Sequence, residues 1–239
     1  MTRQSIKTIP FLFLFALPFL TAGQTKTADT LLFEKSYLKL KWQIDTTLAD
    51  TDLRDSLFHT LDSVVINFFK TPTTFNYSFK ILDNYSFLTA GQLRVLTVDA
   101  RNGGSFHMTK TFIQCKGATG KIILKTIDGE ASGATEDNLW YSNIYKLKTN
   151  LFLIVGNGTG CNSCFFYGAR VFQIQGDNLL DYSAFGEKSF FTIDTDTYEN
   201  IIFKFDKTTK TLIYDYTHDN MNKRTKGQYY FDGNKFIEK

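Results

Sequence analysis

VFQIQGDNLL, running from Val171 to Leu180, reads as a strand, a tight turn and a second strand. Phe172 and Ile174 fall on one side of a pleated ribbon and Gln173 and Gln175 on the other, the two-residue period of a half-buried strand. Gly176-Asp177-Asn178 then supplies residues that accept the positive φ values of a tight hairpin. The same pattern returns 57 residues later in QYYFDGNKFI from Gln228, and earlier, with two extra turn residues, in FIQCKGATGKII from Phe112. A strand–turn–strand unit recurring every 57 to 60 residues, with about four strands per period, predicts stacked antiparallel meanders. The blades of common propellers run shorter, about 40–50 residues. A propeller-like array and a sandwich of meandering sheets both fit the period.

Working outward, alternating segments fall at 77–82, 93–98, 110–116, 121–127, 139–148, 151–156, 169–175, 178–183, 188–193, 200–205, 211–217, 227–231 and 235–238. Asp206-Lys207-Thr208-Thr209 and Asp232-Gly233-Asn234 are further hairpin turns between such runs. Aromatic residues make up 16 % of the chain, with 24 Phe and 12 Tyr, a composition suited to pleated surfaces. The prediction is a mainly β protein with one N-terminal amphipathic helix.

That helix is expected over 51–69. Leu53, Leu57, Leu61, Val64, Val65 and Phe68 recur at steps of three and four. Asp50, Thr51, Asp52 and Asp55 bring oxygens and negative charge to its first turn, a capping role preferred over a metal site. Thr71-Pro72 ends it, because a residue before proline avoids the helical region. Residues 31–44 fit a strand or a short helix equally well. The expected division is a signal at 1–23, an N-terminal segment at 24–76 and a β domain at 77–239, the last two forming one globular unit.

Arg3 and Lys7 precede the apolar run IPFLFLFALPFL at 9–20, and Thr21 and Gly23 are small residues before a cut at Gln24. Basic start, short apolar run and small-residue exit form a secretory signal. The run is too short for a bilayer core of roughly 30 Å and is interrupted by Pro10 and Pro18. A periplasmic or extracellular protein without a transmembrane span after signal removal is therefore expected. Without Arg3 and Lys7 the chain keeps 25 basic and 24 acidic residues. Lys223, Arg224 and Lys226 form its densest basic group and read as a solvated loop. Nucleic acid is not an expected partner.

Cys161 and Cys164 sit in the glycine-rich link GNGTGCNSCFFYG, with Cys115 apart. A close pair in an oxidising compartment reads first as a local disulfide, ahead of free thiols, metal binding or redox catalysis. Zinc would need further donors, and His107 with Cys115 lack a standard spacing. Gly156, Gly158 and Gly160 open no helix and read as a flexible β connection. Asp99, Arg101 and His107 flank the Gly103-Gly104 turn and are the acid–base candidates, set against a plain hairpin with a hydrogen-bonded His. Asp194, Asp196, Glu199 and Asn200 depart from the calcium-loop pattern and read as a turn. Nucleophile elbows, zinc-protease helices and phosphate loops are missing from the sequence. No metal or cofactor is expected.

Three segments, TVDARNGGSFHMTKTFIQCK (97–116), IYKLKTNLFLIVGNG (144–158) and the closing YYFDGNKFIEK, resemble features of uncharacterised exported proteins of Bacteroidota-type bacteria. The resemblance covers about half of the expected mature chain. It implies export and a β-rich fold, places a shared Asp, Gly-Gly and His on Asp99, Gly103, Gly104 and His107, and implies no activity. The sequence departs from it at Cys161 and Cys164.

The leading expectation is an exported, non-enzymatic binding or interaction module for a protein or carbohydrate ligand. Tyr141, Phe165, Phe166 and Tyr167 are its candidate exposed loop aromatics. The alternatives are a hydrolase or lyase acting on extracellular polymers, and a structural subunit of an envelope assembly.

Overall fold

Leu151 to Val155 is apolar at every position, a pattern expected of a strand buried on both faces. The computed structural model, which describes residues 22–47, 51–79, 87–99, 108–129, 137–161, 164–195, 201–218 and 223–239, puts this run in the middle of a stack. Three antiparallel sheets follow one another along the chain. The first is the meander β1 (Phe87–Ala90), β2 (Leu93–Asp99), β3 (Thr109–Lys116) and β4 (Ile122–Asp128). The second holds β5 (Trp140–Lys148), β6 (Leu151–Cys161), β7 (Cys164–Gln175) and β8 (Asn178–Asp181) in order. Its fifth strand, β9 (Phe190–Thr195), pairs with β7 at residues 165–170, the stretch that β8 leaves open. The third is the meander β10 (Ile202–Asp206), β11 (Thr211–His218), β12 (Lys223–Phe231) and β13 (Phe236–Glu238).

The repeat seen in the sequence is this stacking. Phe112, Val171 and Gln228 all lie on the third strand of their sheet, and each aligned turn joins that strand to the fourth.

Side-chain alternation sorts the apolar residues into separate cores. Phe152 and Ile154 of β6 join Leu93, Val95 and Ile113 between the first two sheets. Leu151, Leu153 and Val155 point the other way, against Phe205, Leu212 and Phe231 of the third sheet. The outer face of the first sheet, with Leu96, Val98 and Phe112, is covered by two helices. These are α1 (Ala22–Thr46) and α2 (Thr51–Lys70). Each fully buried large side chain in these cores stabilises by roughly 1.5–3 kcal/mol, so the layers hold one another without covalent ties.

Several expectations are adjusted. Residues 31–44 are helical, because Phe33, Tyr37 and Ile44 form a helical stripe buried in the core that Leu61, Val65 and Phe68 of α2 complete. Lys41 and Asp45 pair one turn apart at 2.6 Å on the same helix. Residues 77–79 form no strand, since their backbone is tied into the turn after α2, and 80–82 lie outside the described residues. A strand unforeseen in the sequence, β1, pairs with β2 through the turn at Gly91, which adopts φ 58°. The link at Gly156–Gly168 is no flexible connection but the longest strand pair, in which Gly156 faces Gly168 and Gly158 faces Phe166. A Cβ on Gly158 would fall 2.2 Å from the Phe166 ring, so a side chain is excluded there by packing. Lys223, Arg224 and Lys226 belong to β12, where Arg224 forms two hydrogen bonds to Asp215 at 2.8 and 2.6 Å. No helix among the described residues is long and apolar enough to cross a membrane.

Candidate functional site

The first strands of the three sheets converge. β1 packs on β5, and the Tyr145 ring of β5 lies 5.0 Å from Phe205 of β10. A cleft of about 350 Å³ opens there, lined by Thr89 and Ala90 of β1, Ile144 to Leu147 of β5, and Phe205, Lys207 and Lys210. It takes residues from every sheet.

Local chemistry sets its lysines in place. Asp206 closes the β10–β11 turn by accepting hydrogen bonds from the Thr208 and Thr209 amides at 2.8 and 3.3 Å. Those bonds hold its carboxyl below its ordinary pKa. The turn leaves Lys207 and Lys210 exposed at its ends. Lys210 has φ 53°, a left-handed conformation that costs a non-glycine residue roughly 1–2 kcal/mol. Its carbonyl is fixed by the Phe231 amide at 2.9 Å. Lys207 Nζ stands 5.2 Å from the centre of the Tyr145 ring, a cation–π contact. Lys146 reaches along the Gly91 turn, with its Cδ 3.8 Å from where a Cβ on Gly91 would stand.

Among the described residues no carboxylate lies within 4.0 Å of these three ammonium groups. Burial pushes the Tyr145 phenol up in pKa, so it stays a neutral hydroxyl at physiological pH. The lining therefore offers three cations, two hydroxyls and apolar walls. Among the described residues its lining includes no histidine, thiol or carboxylate.

A second cavity of about 470 Å³ has Arg94 and the rings of Phe75, Tyr77, Phe79 and Phe87 on its walls. Arg94 is 3 % exposed on β2. Its Nη1 donates to the Thr74 and Phe75 carbonyls, both at 2.7 Å, and its Nη2 to that of Tyr77 at 2.8 Å. Phe79 and Phe87 lie 4.9 and 4.5 Å from the guanidinium carbon. Burial lowers its pKa to about 10, which still leaves it charged at neutral pH. This group ties the turn after α2 to the first sheet.

A third polar cluster joins the first and second sheets. Arg170 pairs with Asp137 at 2.5 Å and with Asp181 at 2.9 Å, and Lys125 of β4 pairs with the same Asp181. Burial opposes ionisation of Asp181, but hydrogen bonds and charge from Lys125 and Arg170 outweigh it and hold its pKa below the usual value.

Among the described residues, those singled out in the sequence do not share one site. Asp99 ends β2, buried and paired in register with Thr109. Arg101 and His107 lie outside the described residues, as do Asp196, Glu199 and Asn200. Tyr141 and Phe166 are 0 % and 2 % exposed, members of the core between the first two sheets, because their strands turn those faces inward. Neither is an exposed loop aromatic. Phe165 and Tyr167 are half-buried on β7, and Tyr167 lies 6.0 Å from Phe203. Cys161 and Cys164 are register partners at the tip of the β6–β7 hairpin. Cys115 is a buried free thiol whose pKa burial raises to about 12. Among the described residues no three His, Cys, Asp or Glu side chains gather as a metal site.

Sequence reading missed the lysine cleft. Its one legible trace was the Asp206–Thr209 turn with a lysine inside and another just after. Nothing in the chain's order linked that turn to Lys146, some sixty residues away. No protein-family model matches the chain, and neither does any curated protein.

Proposed function

We propose that this chain is an exported, non-enzymatic binding module whose contact site is the lysine cleft. The observation that carries the reading is the convergence of Lys146, Lys207 and Lys210, drawn from two sheets, on one cleft without a carboxylate partner among the described residues. Clustered cations at a concave surface raise the local concentration of anionic ligands and speed their capture. The signal-like start and the resemblance to exported Bacteroidota-type proteins support the compartment. In that setting Cys161 and Cys164, opposite each other across an antiparallel pair, close a disulfide that pins the hairpin tip. A loop this short contributes about 2 kcal/mol by chain entropy.

The test takes isotope-labelled protein from the exporting cell and an NMR screen of anionic and neutral fragments. Binding at the cleft shifts resonances of Tyr145, Lys146, Lys207 and Lys210 without turnover. Chemical conversion of a fragment, or no response at the cleft to any of them, rejects the reading. A thiol count of one on the same protein, Cys115 alone, is the result expected for the disulfide; a count of three removes it.

A further inference from the structure

We propose that the ligand of the cleft is an acidic oligosaccharide carrying carboxylate or sulfate groups on more than one sugar ring; this rests on the binding reading above. Three features of the cleft lead there. Its volume of about 350 Å³ falls in the range of small-molecule sites, far beyond the needs of a single inorganic anion. Its cations are lysines, point charges on flexible stems, rather than an arginine fork that would fix one planar group. Lys146 comes from the second sheet, while Lys207 and Lys210 flank a turn of the third, so a ligand that meets all of them presents several separated charges.

The rest of the lining is apolar or aromatic. Ala90 and Ile144 toward the first sheet and Tyr145, Leu147 and Phe205 toward the third give the cleft apolar walls against which the C–H face of a sugar packs, and the lining Thr89 and Tyr145 supply hydroxyls for sugar oxygens. Inorganic phosphate has no use for those walls. A nucleic acid would call for a continuous basic track, whereas beyond the signal-like start the chain has nearly balanced charge, 25 basic against 24 acidic residues.

The experiment is calorimetric titration of the protein purified from the exporting cell with four probes: a tetragalacturonate, a sulfated oligosaccharide of the same length, its neutral counterpart, and inorganic phosphate. A short single-stranded DNA serves as a fifth. The Lys146→Gln/Lys207→Gln/Lys210→Gln variant, whose exposed positions leave the cores intact, is run beside it with its melting temperature as a folding control. Each exposed ion pair contributes about 1.4- to 5-fold in affinity, so the triple variant should lose about 3- to 125-fold. Binding should also weaken steeply as salt shortens the screening length. Preference for the carboxylated or the sulfated probe identifies which acidic group the cleft selects.

Equal binding of the neutral oligosaccharide, untouched by the lysine changes, overturns the acidic assignment and leaves the cleft as a binding site. Phosphate or DNA binding as tightly as the acidic sugars overturns the oligosaccharide. Silence from every probe, with no NMR response at the cleft, overturns this inference and the function on which it rests.

Discussion

Replacing Arg94 with methionine keeps an unbranched side chain of similar length in the core and removes the guanidinium. Three carbonyls lose the guanidinium as a donor: Thr74 at 2.7 Å, Phe75 at 2.7 Å and Tyr77 at 2.8 Å. A buried acceptor left alone costs about 1–3 kcal/mol. Thr74 is 5 % exposed, but its carbonyl keeps the Tyr77 amide as a donor at 3.0 Å and so bears only part of that cost. Phe75 and Tyr77 are half-buried and recover part of it from water. Against the loss stands the desolvation that the buried charge no longer suffers, whose sign is recorded in its lowered pKa. The balance is a destabilisation of about 2–4 kcal/mol. For a chain of this size that lowers the melting temperature by about 4–16 °C. Urea denaturation measures the free energy, and amide exchange along α2 reports whether the helical layer loosens first. Lysine at this position restores less than half, because one ammonium cannot span carbonyls set around a planar fork. An Arg94→Met protein within about 0.5 kcal/mol of the parent, with α2 protection unchanged, would show that the guanidinium is not the tie argued here.

Phe152→Ala empties a fully buried site between the first two sheets and should cost about 3–5 kcal/mol. Leu180→Ala, 43 % exposed, should cost under about 0.5 kcal/mol in the same urea assay. Gly158→Ala pushes a methyl into the Phe166 ring and the Asn138 carbonyl, at 2.2 and 2.6 Å, and should lose about 1–3 kcal/mol; full stability would mean that the β6–β7 pair yields. Asp181 has a depressed pKa in the folded protein, so its ion pairs add stability above the ordinary carboxylate pKa of about 4 and lose it as pH falls below. Asp181→Asn should therefore flatten the acid limb of the melting-temperature profile between about pH 5 and 2. An unchanged limb would exclude this carboxylate as its source.

Why the strands were legible and the cleft was not follows from the range of the interactions involved. The Gly176 and Asp232 turns depend on their own residues: Gly176 adopts φ 58°, and Asp232 accepts from the Asn234 and Lys235 amides at 2.6 and 2.7 Å. Such signals survive in any window of ten residues. The strand β1 did not, since Phe87–Ala90 is only four residues long and its partner row on β2 is itself buried throughout. Helix α1 stayed ambiguous because its buried stripe at Phe33, Tyr37 and Ile44 is crossed by exposed Leu31, Leu32 and Trp42, which blurs the contrast between faces. Tyr141 and Phe166 read as loop aromatics, yet Gly156 and Gly158 on the neighbouring strand let the backbone close on them. The cleft is the extreme case. Lys146 and Lys207 line one cleft only because two meanders pack together, an arrangement that no local pattern encodes.

The two outer faces of the three described sheets are closed in different ways. The helices cover the outer face of the first sheet. The outer face of the third alternates Ile202, Asp215 and Lys226 across one register row with Lys204, Ile213 and Gln228 across the next, so each isoleucine is fenced by charge or amide. Such a face meets water without a continuous apolar patch. Between these ends, β5 is held from both sides: Ile144 packs on the core shared with the first sheet, and Tyr145 and Leu147 on the core shared with the third. Lys146 lies between them with its ammonium end exposed. The backbone of the cleft is thus set by two cores at once while its charges stay in water, the division of labour that a preorganised site requires. On the binding reading proposed above, substituting a cleft lysine changes what is bound and leaves the stack standing. Substituting Ile144 or Tyr145 moves the cleft by disturbing a core. A ligand whose affinity responds equally to both kinds of change, at unchanged stability, would break that separation.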